Sequence, residues 1–418
     1  MKPVPLVVDQ LIDDRRTRII VCCGSGGVGK TTIAAAVGLR AAERGRHVVV
    51  LTVDPARRLA QSMGLSSLDN TPRLVPGVLA ADPADQGGGD QIGDDDGRDE
   101  QGDTGSAGSL HAMMLDMKRT FDEIVEAHAD PDRAAQILAN PFYQSLSSSF
   151  AGTQEYMAME KLGQLRRTDE WDLIIVDTPP SRSALDFLDA PQRLARFLDG
   201  RLLRLLVAPA KIGGRTGMKV LNVGFGMVTG VVTKIIGSQV LRDMQTFVSA
   251  MDTMFGGFRE RSEYTYRLLR APGTAFLVIA APEPDALREA SYFIERLERD
   301  DMPLAGLIVN RVHRSPAARL SAARSLAAVE TLQGLPASDS SGPADAKSTS
   351  KGPTGTELAI TALRLHAERM RQAASERRLA AGFTAAHPLV PVAQIPAQPD
   401  DVHDLDGLRI IGASFGPG

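Results

Sequence analysis

An apolar run of strand length, Arg18-Ile19-Ile20-Val21-Cys22-Cys23, passes straight into Gly24-Ser25-Gly26-Gly27-Val28-Gly29-Lys30-Thr31-Thr32 and then into an alanine-rich helical pattern. Strand, glycine-rich loop and helix in that order form a phosphate cradle. The glycines let the backbone wrap closely around phosphates, while successive amide N–H groups and the N-terminus of the following helix face the negative charge. Such a loop takes ATP or GTP, with Lys30 reaching the β- and γ-phosphates and Thr31 ligating Mg²⁺. A flexible glycine turn would need neither the strand before nor the helix after.

With 418 residues and 43% hydrophobic content, the chain has material for one large core or two smaller ones. The net charge of −4 is unevenly spread: residues 82–103 hold nine acids against Arg98, a local −8 that leaves +4 elsewhere. Neither balance, nor any Arg/Lys cluster interleaved with aromatics, points to nucleic acid. Cys22 and Cys23, the two cysteines, are adjacent on an expected buried strand, which suits neither a disulfide nor a metal site and fits a reducing cytoplasm. Residues 1–18 already carry Asp9, Asp13, Asp14, Arg15 and Arg16, so no leader peptide is expected there. The best membrane candidate, the charge-free run Val220–Thr233 between Lys219 and Lys234, has 14 residues against the roughly 20 of a membrane span.

Strand-length apolar runs recur at Arg18–Cys23, His47–Asp54, Asp172–Asp177, Ala275–Ala281, Leu304–Asn310 and Leu389–Gln394, mostly separated by helical patterns. Continuous apolar strands alternating with helices predict an α/β fold: a mostly parallel, doubly wound sheet of a P-loop NTPase, with an inserted helical subdomain. Ligands sit at the carboxyl ends of such strands, where Gly24, Asp54, Asp177 and Asn310 all fall in this reading. The expected layout is an N-terminal extension (1–17), ATPase core (18–81), an acidic Gly/Asp-rich insertion (82–109) and a part-helical region (110–170). A core segment (171–200), a Met/Gly-rich helical subdomain (201–270), more core (271–335), a polar insertion (336–356) and a C-terminal helix with the last strand (357–418) complete it. The two polar stretches bury too little apolar surface to order themselves. Leu115–Ala129, Thr153–Arg166, Arg201–Leu206 and Met218–Phe255 are expected to be helical and could build a second core or a lid.

Asp54 ends the second strand and opens Asp54-Pro55-Ala56-Arg57-Arg58-Leu59; a carboxylate there can orient an attacking water, or simply cap a helix. Asp177, closing Asp172-Leu173-Ile174-Ile175-Val176, is placed to reach Mg²⁺ through water. Thr178-Pro179-Pro180-Ser181-Arg182-Ser183 puts small hydroxyls and stiff prolines where a γ-phosphate would lie, a segment that nucleotide can order, or else a rigid turn. Asn310 offers an amide able to pair with a purine edge, although a turn-forming asparagine explains it as well.

In order and spacing, Gly24–Thr32, Asp54-Pro55-Ala56, Asp177-Thr178-Pro179-Pro180 and Asn310 resemble the phosphate loop, switch I, switch II and adenine-contacting segments of the ArsA/Get anion-transporting ATPase family, in its bacterial branch. Met114–Asp122, Gly152–Glu160 and the last strand with Gln394-Ile395-Pro396 are similar to that branch as well. The resemblance implies a dimeric, Mg²⁺-dependent ATPase in which residues 24–32 bind ATP, Asp54 activates water, Asp177 serves the metal with Thr31, and Asn310 and Pro396 flank the adenine. Ser25 stands where the family has a signature lysine that reaches the partner's nucleotide, so a homodimer and a heterodimer with a paralogous ATPase that supplies the lysine both stay open. The arsenite-binding cysteine triad and the zinc-binding Cys-x-x-Cys of other members have no counterpart.

The methionine-rich, glycine-punctuated Met218–Phe258 segment could receive an apolar client helix or a membrane-protein partner, or pack as an internal core or dimer face. The leading expectation is an ATP-hydrolysing switch that couples nucleotide state to a partner surface. The alternatives are a regulatory nucleotide-binding subunit with little turnover of its own and a positioning ATPase of the ParA/MinD type; for the latter no terminal basic amphipathic helix is evident.

Overall fold

The computed structural model describes residues 4–53, 58–78, 108–141, 143–144, 153–178, 260–261, 263–334 and 355–416. Among the described residues eight strands form one sheet: β1 (Ile19–Cys23), β2 (His47–Thr52), β3 (Arg73–Leu74), β4 (Ser109–Met114), β5 (Leu173–Asp177), β6 (Thr274–Ala280), β7 (Leu304–Val312) and β8 (Val392–Pro396). Their order is β3-β4-β2-β5-β1-β6-β7-β8, parallel throughout except for the short antiparallel β3–β4 pair at one edge. The described helices are α1 (Val8–Asp13), α2 (Lys30–Glu43), α3 (Arg58–Ser62), α4 (Met117–His128), α5 (Pro131–Leu138), α6 (Thr153–Thr168), α7 (Pro284–Arg299), α8 (Ala322–Gly334), α9 (Gly355–Ala386) and α10 (Leu405–Gly412).

Every residue of β1, β5 and β6 is buried, as central parallel strands covered on both faces must be. Val, Ile and Leu at both parities of those strands leave neither face able to meet water. Helix α7 closes one side with Ala286, Leu287, Ala290, Phe293, Ile294 and Leu297, a stripe at helical spacing. Helix α2 lies so close to the sheet that a Cβ on Gly38 would come within 2.7 Å of Val50.

Differences from the expected elements have local causes. β4 was not expected, because its Ser-Leu-His-Ala-Met-Met sequence follows the acidic stretch directly; it pairs with β2 along its whole length and begins at Ser109, inside the expected insertion. β8 starts three residues later than expected, after Pro391, and leaves Leu389 88% exposed. β7 runs past Asn310 to Val312. Helices α4 and α6 form where expected, and their Phe121, Ile124, Val125, Met157, Ala158 and Leu162 belong to the same hydrophobic cluster as the sheet. Arg201–Leu206 and Met218–Phe258 lie outside the described residues, as do 82–107 and 336–354 of the two polar stretches. No helix among the described residues is long and apolar enough to cross a membrane.

The first turns of chain dock onto this core. Val8 and Ile12 of α1 are fully buried, and Asp9 accepts hydrogen bonds from Arg40 at 3.0 and 2.7 Å. Beneath β2, Arg46 is 1% exposed and donates to the carbonyls of Ile12 (2.7 Å), Thr17 (2.5 Å) and Asp172 (2.6 Å). One guanidinium thus satisfies carbonyls from three separate segments at the end of the sheet opposite the phosphate loop.

Candidate nucleotide-binding site

The loop leaves β1 between two neighbours, β5 and β6, at the point where successive connections diverge to either side of the sheet. Gly24 must be glycine: a Cβ there would lie 2.0 Å from the carbonyl oxygen of Ile279 on β6. Gly29 caps α2 with φ 91°, and a Cβ would meet the Asn310 amide nitrogen at 2.4 Å. Gly26 and Gly27 are exposed on the outer turn, with Val28 buried beneath them. Helix α2 therefore starts directly at the end of the loop, and a helix N-terminus favours negative charge.

Lys30 is 6% exposed, and its ammonium donates to the Ser25 carbonyl at 2.8 Å, so the lysine folds back across the loop. The Ser25 hydroxyl oxygen is buried with no hydrogen-bond partner among the described residues. A buried hydroxyl of that kind inside a cradle of amides suits a ligand rich in acceptor oxygens, as a polyphosphate is. Thr31 and Thr32 lie in the first turn of α2.

Thr31 donates its hydroxyl to Asp177 Oδ2 at 2.7 Å, and Thr52 donates to the same oxygen at 2.9 Å. Asp177 is fully buried at the end of β5, in register with Cys22 on one side and Thr52 on the other. The structure thus joins the loop's hydroxyl to the strand-end carboxylate that the sequence placed 146 residues away. Thr52 was not among the expected site residues; its signal, a hydroxyl closing an otherwise apolar strand, is common and weak. Thr178 turns back into the fold, its hydroxyl donating to the Cys22 carbonyl at 2.9 Å.

Asn310 neither ends its strand nor makes a turn. It lies within β7, 6% exposed, and its amide nitrogen donates to the Val28 carbonyl at 2.9 Å. The next residue, Arg311, was also not foreseen; its guanidinium donates to the Gly27 carbonyl at 3.0 Å. Pro396 closes β8 opposite Val312, two positions beyond Asn310 on the same edge. Asp54 and the 179–183 part of the second switch segment lie outside the described residues.

The two thiols take no part in this surface. Burial pushes Cys22 well above the ordinary thiol value and Cys23 up to about 12, so both stay protonated and unreactive. Among the described residues no three His, Cys, Asp or Glu side chains cluster as a metal site would need.

Residues 17–331 match the family model of the anion-transporting ATPases. The chain belongs to this family. Its relatives include the ATPase get3 of Schizosaccharomyces japonicus, 22% identical over 319 residues that cover 76% of this chain and 81% of the relative. The ATPase get3 of Schizosaccharomyces pombe is 23% identical over 75% of this chain and 79% of its own length. ATPase ARSA2 of Chlamydomonas reinhardtii is 21% identical over 73% and 70%. Membership makes the chain an ATPase and brings nucleotide binding with it.

Proposed function

We propose that this anion-transporting-type ATPase is a Mg²⁺-dependent ATP switch whose cradle is residues 24–32, whose metal residues are Thr31 and Asp177, and whose water-orienting residue is Asp54. The observation that carries this reading is the 2.7 Å hydrogen bond between Thr31 and Asp177, which brings a loop hydroxyl and a strand-end carboxylate together at the start of α2. A hydroxyl, a carboxylate and phosphate oxygens are the hard oxygen donors Mg²⁺ takes, with water completing the shell. When bound, Mg²⁺ supplies charge neutralisation across the β- and γ-phosphates. The protein's share is positional. Loop amides and Lys30 hold the triphosphate, Thr52 fixes the Asp177 carboxylate from behind, and Asp54 accepts a hydrogen bond from a water so that it lies in line with the γ-phosphorus. Asn310 and Pro396 would flank the adenine.

Asp54→Asn keeps the shape and removes the negative oxygen. Turnover is expected to fall by about a hundredfold while the affinity for Mg-ATP stays within about twofold; phosphate release and calorimetry read the two separately. Undiminished turnover would remove Asp54 from the mechanism.

The reading extends to a partner. The composition of the Met218–Phe258 segment, rich in methionine and glycine, would suit the uptake of a hydrophobic helix, and a dimer across the nucleotides would let hydrolysis change the spacing of its two copies. Met227→Asp and Val231→Asp are expected to abolish photo-crosslinking to a hydrophobic helical peptide and to leave Mg-ATP affinity unchanged. Loss of solubility in both variants would make these residues core instead.

A further inference from the structure

The pairing of β7 with β8 slips between Val309 and Val312, and Arg311, at the slip, has φ 59°. That is the left-handed region, which non-glycine residues rarely adopt and keep only where their surroundings impose it. Side chains on a regular strand point alternately to opposite faces. The slip cancels the alternation, and two consecutive side chains reach the same loop: Asn310 donates to the Val28 carbonyl at 2.9 Å and Arg311 to the Gly27 carbonyl at 3.0 Å. Arg311 is exposed, so its unusual backbone is not compensated by burial of its side chain.

In a trans peptide unit the C=O and the following N–H point in opposite directions. A strut on the Gly27 carbonyl therefore turns the Val28 N–H away from the strut, and the strut on the Val28 carbonyl does the same for the Gly29 N–H. Lys30, on the Ser25 carbonyl, acts likewise on the Gly26 N–H. Backbone N–H groups are what such a loop offers a phosphate, and glycine-rich backbone has many competing conformations to lose before it can offer them. We propose that Arg311 is a positioning residue of the nucleotide site: its guanidinium holds the Gly27–Val28 peptide in the phosphate-accepting orientation, and so sets affinity for the triphosphate without touching the reacting atoms. The proposal rests on the loop being the Mg-ATP site.

Arg311→Gly separates the two roles of the residue, since glycine accepts the left-handed backbone freely but has no donor. In the full-length protein it is expected to retain or raise the melting temperature, to weaken binding of Mg²⁺ with a non-hydrolysable ATP analogue about tenfold, and, in turnover of ATP itself, to raise KM rather than lower kcat. Arg311→Lys, which restores a charged donor on a flexible stem, is expected to recover part of that affinity. Wild-type binding equalled by Arg311→Gly, or Arg311→Lys binding no better than Arg311→Gly, would overturn the proposal and leave the assigned function standing. Wild-type protein that takes up no analogue at all would overturn both.

Discussion

Lys30→Ala is expected to lower ATP turnover by about a thousandfold or more, the largest functional loss of any single change in this site. The side chain is 6% exposed at the start of α2 and donates across the loop to Ser25, so it serves as a clasp of the cradle and as a full positive charge within it. A phosphoryl group passing to water spreads negative charge over its oxygens, and a preorganised cation in a water-poor site stabilises that charge more than a mobile ion in solvent can. Alanine removes both contributions at once. It is also the best helix former, so α2 itself should persist and circular dichroism should be unchanged. Phosphate release by Lys30→Ala above about a tenth of the wild-type rate would show that charge to come from elsewhere.

Arg46→Met is expected to cause the largest loss of stability, about 3 kcal/mol or more. Methionine fills similar volume but donates nothing, and the carbonyls of Ile12, Thr17 and Asp172 would lose a donor in a place water hardly reaches. Each buried acceptor left without a donor costs about 1–3 kcal/mol, partly recovered if a water enters. Burial pushes the Arg46 pKa down to about 10, which still leaves it charged at neutral pH. Chemical denaturation should show a lower midpoint with an unchanged slope. A loss under about 1 kcal/mol would mean that the segment of α1 is held mainly by Val8, Ile12 and the Asp9–Arg40 pair.

Much of the candidate site's geometry was legible because it is local in sequence. Gly24–Thr32 carries strand, turn and helix signals within a single stretch, and Asp177 ends a run of apolar residues too continuous to be anything but a buried strand. What escaped depends on register between distant elements. Thr52 becomes a partner of Asp177 only because β2 lies beside β5, and Arg311 reaches Gly27 only because β7 slips against β8. Polar residues after an apolar run signal a strand's end, so the strand was expected to close at Asn310, whereas β7 continues through Arg311 to Val312. β4 was missed for a related reason: its His111 and flanking small residues blur the apolar pattern, yet Leu110, Ala112 and Met113 are all buried.

The central claim is that the glycine cradle and the Thr31–Asp177 pair together hold Mg-ATP. Isothermal titration of the full-length protein with a non-hydrolysable ATP analogue, with and without Mg²⁺, tests it most directly. The account predicts one site per chain with a dissociation constant below about 1 mM, weakened when the metal is chelated and lost in Lys30→Ala. Binding that Lys30→Ala and chelation both leave intact, or no binding by the wild-type chain, would contradict it.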